Sequence, residues 1–354
     1  MEHRLCYISR NYRGTGSAGN KAKTDNEDTL AAAGATNLGL RRSFHRNKVV
    51  TFFLDLAGVL RFVFTVREGD VVLLQYPVKK YFSFLCRVAR SRKAQTVALI
   101  HDLGSFRRRK LSVEQEIGRL MKADYVIASN DVMRQWLLDR GYQHPVGALG
   151  LFDYHSAAAR RSTTARRAPS TARLVYAGGL AMRKNAFLLR LAEEGQLPYE
   201  LHIYGNRDGL PGLKDNARMV FHPFTPADEF IGSVDADFGL VWDGDSTDTC
   251  TGAFGEYLRY NSPHKASFYL RAGLPIVVWR QAAIAPIVER EGIGLCIDSL
   301  DELSASLSAL QPARYEAMRQ NAGRVSARLD GGQFLLDALR EAMTTMHINN
   351  KITR

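Results

Sequence analysis

The chain has 354 residues, 45% of them hydrophobic and 24% charged, which is the balance of a folded protein long enough for two domains with separate cores. No run approaches the roughly eighteen apolar residues of a bilayer-crossing helix, and the opening MEHRLCYIS is too short and mixed for a signal peptide. The net charge of +12 is uneven: residues 1–172 hold 29 Lys+Arg against 14 Asp+Glu, whereas 173–354 hold 19 against 22.

In chain order, short apolar runs at 5–9, 49–53, 71–75, 96–100, 125–128 and 146–149 predict strands. Helical patterns at 27–33, 56–64, 81–89, 113–121 and 131–140 alternate with them. The stretch 155–173 is rich in Ser, Thr, Ala and Arg without apolar period, and reads as an exposed linker. Beyond it, strands are predicted at 174–177, 200–204, 219–221, 238–241, 276–279 and 294–297. Helices are predicted at 186–194, 227–234, 265–271, 285–291 and 301–310. Such alternation calls for parallel sheets covered by helices. The expected fold is α/β, with two Rossmann-like doubly wound domains at 1–154 and 174–332 facing a cleft. A last helical stretch, 333–346 within 333–354, is expected to pack back across the boundary.

Ligands of such sheets bind outside the carboxyl ends of strands, so chemistry is sought in the loops there. The first is Ser9-Arg-Asn-Tyr-Arg-Gly14-Thr-Gly16-Ser-Ala-Gly19-Asn20-Lys21-Ala-Lys23-Thr-Asp25. It is no Walker loop, since GK[ST] is missing, and it is either a backbone cradle for a ligand or a glycine-rich connection. His101-Asp102 follows the run at 96–100; either side chain could take a proton from an acceptor hydroxyl, or simply cap and fill.

In the second half, Tyr176-Ala-Gly178-Gly179-Leu-Ala-Met-Arg183-Lys184-Asn185 joins a strand to a helix, bringing cations to a glycine turn. Tyr204 and the segment His222-Pro-Phe224 end two further strands; they would hold a uracil ring or finish a core. Asp243-Gly-Asp245-Ser-Thr-Asp248 invites a divalent-metal reading. A solvated loop, or one touching sugar hydroxyls, is preferred, because Arg183, Lys184 and Lys265 can neutralise a diphosphate without metal. Glu256 is a further sugar-pocket candidate. The most telling segment is Asn261-Ser-Pro-His-Lys265-Ala-Ser-Phe-Tyr-Leu-Arg-Ala-Gly-Leu-Pro-Ile-Val-Val-Trp279: a turn, a helix opened by Pro263, a Gly273 stop and a buried strand. Lys265, read as a free lysine, stands in that helix's first turn, where backbone N–H groups already favour an anion.

The stretches AGNKAKTD (18–25), LLQYP (73–77), IHDLGSFR (100–107), ADYVIASN (123–130), LVYAGGL (174–180), LHIYGN (201–206), FGLVWDG (238–244) and NSPHKASFYLRAGLPIVVW (261–279) run in order along nearly the whole chain. Together they resemble the bacterial GT-B glycosyltransferases that include β-1,6-galactofuranosyltransferases and the glucosyltransferases of serine-rich adhesins. The resemblance implies a UDP-sugar donor held by the C-terminal domain and a saccharide acceptor met by the N-terminal domain, with no further cofactor. It places Arg183, Tyr204, Asn261 and Lys265 at the donor, with Phe224 a looser candidate; the glycine turn itself adds Gly178, Gly179 and Lys184. Gly19, Asn20, Lys21, Asp243 and Glu256 fall on the acceptor or sugar side. Asp102, His101 or Asp25 would be the base. It also implies inversion at the anomeric carbon and a homo-oligomer, although the E-x7-E pair of retaining GT-B enzymes does not precede the helix at Lys265.

Four distant cysteines, Cys6, Cys86, Cys250 and Cys296, show no ligand spacing and read as core thiols of a reducing compartment. The basic clusters Arg41-Arg42, Lys79-Lys80, Arg90-Ser-Arg92-Lys93 and Phe106-Arg-Arg-Arg-Lys110 suit an anionic partner. A cytoplasmic enzyme resting peripherally on the inner membrane face, with a lipid-linked acceptor, is therefore expected. Two rivals stand beside it. One is a UDP-sugar epimerase of similar architecture. The other is a non-catalytic protein binding nucleic acid or an anionic surface, although no zinc module, helix-turn-helix or aromatic-basic strand code is present and no nucleic acid is expected.

Overall fold

Two six-stranded sheets, parallel at every pairing, organise the chain in a computed structural model that describes residues 3–14, 18–77, 81–107, 111–159, 171–194 and 197–348. The first contains β1 (Leu5–Tyr7), β2 (Thr36–Asn37), β3 (Val71–Tyr76), β4 (Gln95–Ile100), β5 (Tyr125–Ala128) and β6 (Val146–Ala148), in the order β2-β1-β3-β4-β5-β6. The second contains β7 (Arg173–Ala177), β8 (Glu200–Tyr204), β9 (Met219–His222), β10 (Phe238–Val241), β11 (Ile276–Trp279) and β12 (Gly294–Ile297), in the order β12-β11-β10-β7-β8-β9. Each order reverses direction once, between β1 and β3 and between β7 and β10, and such switch points are where doubly wound sheets open a crevice.

The chain divides into two compact units, Met1–Asp153 with Gly331–Arg354, and Tyr154–Asp330. Central strands β3, β5, β10 and β11 are buried almost throughout, as expected for sheets covered on both faces. The last helix, Gln333–Thr345, belongs to the first unit. Buried Asp153 accepts N–H bonds from Phe334 (3.2 Å) and Leu335 (2.8 Å), two of the donors that a helix start leaves unpaired. Of the expected linker 155–173, positions 160–170 lie outside the described residues. The described part before them is tied down: the Ser156 N–H donates to Asp330 (3.1 Å) and its carbonyl accepts from Arg271 (2.9 Å).

Two expectations are corrected, and one helix was not expected. The run 49–53 is no strand. It opens a single helix, Lys48–Thr65, whose N-cap Asn47 accepts from the N–H groups of Val49 and Val50. The helix expected at 27–33 begins far earlier, at Ala18–Ala32, and its polar residues Asp25, Asn26, Glu27 and Thr29 are buried, so no apolar stripe announces it. A 19-residue helix, Pro312–Asp330, was not anticipated. It lies on the helix His264–Arg271, joined by the Ser326 hydroxyl to the Arg271 carbonyl (2.8 Å) and by Arg271 Nε to Asp330 (3.0 Å).

Candidate active site

In the second unit, β7 ends at Ala177 and the chain turns at Gly178, whose φ of +144° disfavours any residue with a Cβ. The turn enters the short helix Met182–Asn185, and Asn185 braces it by accepting the Ala181 N–H (3.0 Å). Neighbouring β10 ends in the buried Trp242 and Asp243. Gly239 on that strand leaves space for the Tyr269 ring, which a Cβ there would meet at 2.3 Å. Tyr269 in turn accepts the Ala177 N–H at 2.7 Å, joining the helix His264–Arg271 to the glycine turn.

These elements converge on Asp243. Lys265 Nζ lies 3.3 Å and Lys184 Nζ 3.8 Å from Asp243 Oδ1, and the Tyr176 hydroxyl donates to the same oxygen at 2.9 Å. Asn185 donates to Tyr176 from behind. The Lys265 ammonium also sits over the Tyr176 ring, 3.6 Å from its centre. Burial, opposed by Asp243 and aided by Lys184, pulls the Lys265 ammonium down to about 7. Burial raises the Tyr176 phenol, with Asp243 adding to the effect. Two cations therefore share one carboxylate with little solvent, at the sheet's switch point and below a helix start that no side chain caps.

The expectations for this unit are met unevenly. Lys184 and Lys265 meet on Asp243, and Gly178 and Gly179 form the turn that leads from β7 to the helix bearing Lys184. Lys265 is not the free lysine expected, because Asp243 holds it. Asp243 is buried rather than solvated and is the counter-ion of both lysines. Its loop mate Asp245 accepts from the Thr251 hydroxyl, and Ser246 donates to Asp248 (3.3 Å). Arg183 does not join the cluster; it is exposed, with its guanidinium 5.0 Å from the Phe254 ring centre. Tyr204 stacks on His222 at 4.3 Å and meets Phe230 edge-on at 5.0 Å, whereas Phe224 is 73% exposed. The Asn261 Oδ1 is buried without a hydrogen-bond partner among the described residues. Glu256 pairs with Arg259 at 3.1 Å on the surface. Tyr176, Asn185 and Tyr269 were missed as site residues; buried tyrosines at strand ends were the available signal.

In the first unit, His101 Nε2 lies 2.9 Å from Gln75 Oε1, which also accepts from Asn26 at 3.0 Å. The His101 ring stacks on Phe152 at 4.9 Å, and Asp102 follows it, half-buried. Buried Asp25 is held by Lys21 one helical turn earlier at 2.6 Å. Asn20 donates to the carbonyls of Tyr12 (2.6 Å) and Gly14 (2.9 Å), fixing the first loop, while Gly19 is exposed. Gly16 lies outside the described residues. The sequence did not single out Glu27, which is buried against Ser9 (2.7 Å) and Tyr12; burial pushes its carboxyl up to about 7. Among the basic clusters, Arg42 pairs with Asp28 (2.8 Å), Arg90 with Asp124 (3.5 Å) and Lys93 with Glu68 (3.3 Å). Lys79-Lys80, positions 108–110 and the Arg107 side chain lie outside the described residues.

Two parallel sheets of doubly wound order form the two-domain α/β fold of the GT-B class. Two domain models of one family, "Glucosyltransferase 3-like" N-terminal and C-terminal domains, match residues 5–151 and 174–342 and together account for most of the chain. The chain belongs to this family and is a glycosyltransferase. It is 29% identical to β-1,6-galactofuranosyltransferase WbbI of Escherichia coli K12, over 83% of this chain and 86% of that one. It is 31% identical to glucosyltransferase 3 of Streptococcus gordonii over 30% of this chain and 32% of that one. A glycosyltransferase of Rickettsia africae ESF-5 shares the fold at TM-score 0.59 and 11% identity, covering 99% of this chain and 100% of that one. No described helix is long and apolar enough to cross a membrane.

Proposed function

We propose that this glycosyltransferase moves a hexosyl unit from a UDP-sugar to a saccharide hydroxyl, with inversion and without a metal ion, galactofuranose being the favoured sugar and glucose the next. The observation that carries the reading is the Lys184–Asp243–Lys265 cluster at the carboxyl ends of β7 and β10. As the anomeric bond breaks, negative charge grows on the departing diphosphate. Two lysines and uncapped helix amides, already oriented and poorly solvated, stabilise that charge more than the ground state. Asp243 keeps both ammonium groups in place before the donor arrives. Asn261 Oδ1 offers an acceptor for a donor group of the nucleotide or sugar. Asp102 takes the proton of the incoming hydroxyl. The greater resemblance in coverage to a galactofuranosyltransferase supports the choice of sugar.

The acceptor is proposed to be lipid-linked and met at an anionic membrane surface. The helix Lys48–Thr65 supports this. It buries Thr51, Gly58, Val59 and Phe62 but leaves Val49, Phe53 (61% exposed), Leu60 and Phe64 (81% exposed) along its opposite side. Lys48 and Arg61 on the same helix are exposed, as are Arg41 and Arg46 before it in the chain, and basic residues near an apolar stripe suit a helix lying in a lipid interface. Anionic vesicles should carry the protein on flotation at low salt, and Phe53→Ser with Phe64→Ser should abolish it. Retention of the double variant on vesicles would remove this role from the helix.

The reaction is tested by incubating the purified protein with a panel of UDP-sugars and membrane extract, following UDP and product mass. UDP release that depends on acceptor supports transfer. An isomerised UDP-sugar without release would mean epimerisation and end the proposal.

A further inference from the structure

β4 ends at Ile100, and the segment 101–105 that follows carries the candidate base between two fixed points. On the strand side, the His101 N–H donates to the Tyr76 carbonyl at 3.0 Å, extending the pairing of β3 with β4 by one residue. On the helix side, the N–H groups of Gly104 (2.9 Å) and Ser105 (2.8 Å), which open the helix Gly104–Arg107, donate to the two carboxylate oxygens of Glu116. Leu103 between these points is fully buried. Glu116 comes from a separate helix, Val113–Leu120, and is itself 0% exposed. It also accepts from the Ser105 hydroxyl at 2.6 Å and from the Tyr76 hydroxyl at 2.8 Å. Tyr76 therefore holds the segment twice, by its carbonyl at His101 and through Glu116 at Gly104. The hydrogen bonds close into a circuit that includes the backbone of Asp102.

A fully buried carboxylate is costly, and a serine or asparagine would cap a short helix start with less desolvation. What the carboxylate adds is capacity. Each of its oxygens takes two bonds, all four from neutral donors, so its lone pairs are filled and the segment has little freedom left. We propose that Glu116 is a positioning residue of the transfer reaction, fixing the segment 101–105 so that Asp102 meets the incoming hydroxyl in a ready-made geometry. The inference rests on the reading of Asp102 as the base. A general base acts only within about 2.6–3.2 Å of the group whose proton it takes, and a displacement of about 1 Å can cost roughly 100-fold in rate. β4 fixes one side of Asp102, and Glu116 supplies the other.

The test is a double-mutant cycle of Glu116→Gln and Asp102→Asn in the full chain, read by acceptor-dependent UDP release. Glu116→Gln keeps the side chain's shape and one carbonyl oxygen but sets an amide N–H against the Ser105 donors. It should lower kcat by about 10- to 100-fold with the donor KM unchanged, and UDP titration should match the parent. Asp102→Asn should lower kcat by about 100-fold or more. Added to Asp102→Asn, Glu116→Gln should cost no more than about twofold, because the group it positions is already gone. A role in folding alone would lower the thermal midpoint and reduce kcat equally in both backgrounds. Ser105→Ala removes one of the four donors and should show the same dependence on Asp102 on a smaller scale, so it decides the matter if Glu116→Gln does not fold. A parental kcat in the folded variant, or an equal fall with and without Asp102, would overturn the proposal. A parental kcat for Asp102→Asn would instead sink the reading of Asp102 as the base, and the positioning role with it.

Discussion

The two sheets present the same topological event with opposite chemistry. Where the order reverses between β7 and β10, buried Asp243 gathers two lysines and a tyrosine. Where it reverses between β1 and β3, the crevice is walled by Ile8, Leu74, Phe52 and Val59, with Ser9, Thr51, Gln75 and Asp55 between them and no lysine among the described residues. A doubly wound sheet fixes where a ligand will bind, and the residues at the strand ends decide what kind. On the proposed reading, the lysine cluster serves an anion that gains charge during reaction, whereas the first sheet offers a mainly apolar wall.

The sharpest way to break this contrast is at Lys265. Lys265→Met should lower the transfer rate by about 100- to 1000-fold, the range for losing one preorganised donor to a developing oxyanion, with Asp243 still paired to Lys184. Acceptor-dependent UDP release measures it; a folded variant with the parent rate would strip the second crevice of its role. In the first unit, Asp153→Ala should cost about 1–3 kcal/mol of stability, because two buried N–H groups of the last helix lose their acceptor. Denaturant melts would show it, and an unchanged midpoint would mean that the clamp carries no weight. The smallest effect concerns pH. Burial holds Lys265 down to about 7, and a bound diphosphate favours its ammonium, so UDP binding takes up a proton near neutrality. Affinity should therefore weaken as pH rises through that value, by about tenfold per unit well above it. Titrations in buffers of different ionisation enthalpy would detect the proton, and Lys265→Arg should flatten the profile.

Much of the alternation was legible because strands buried on both faces announce themselves as apolar runs, as at β3, β4 and β11. The run 49–53 misled for the same reason, since a few consecutive apolar residues do not distinguish strand from buried helix. Asn47 followed by the long apolar stretch was the better signal. The helix Ala18–Ala32 was hidden because its inward face is polar. Lys265 was legible from its place in a helix's first turn, and Lys184 from the glycine turn before it. Their sharing of Asp243 was not, because a residue that ends β10 meets residues 184 and 265 only once strand register and two loops are set.

The return of the helix Gln333–Thr345 to the unit that begins the chain sets an order of events during synthesis. Residues 154–330 have all their own elements once Asp330 has left the ribosome, whereas Asp153 must wait for Phe334 and Leu335. The lobe translated first is thus the last that can close, and shortening the far end of the polypeptide should injure its beginning and spare its middle.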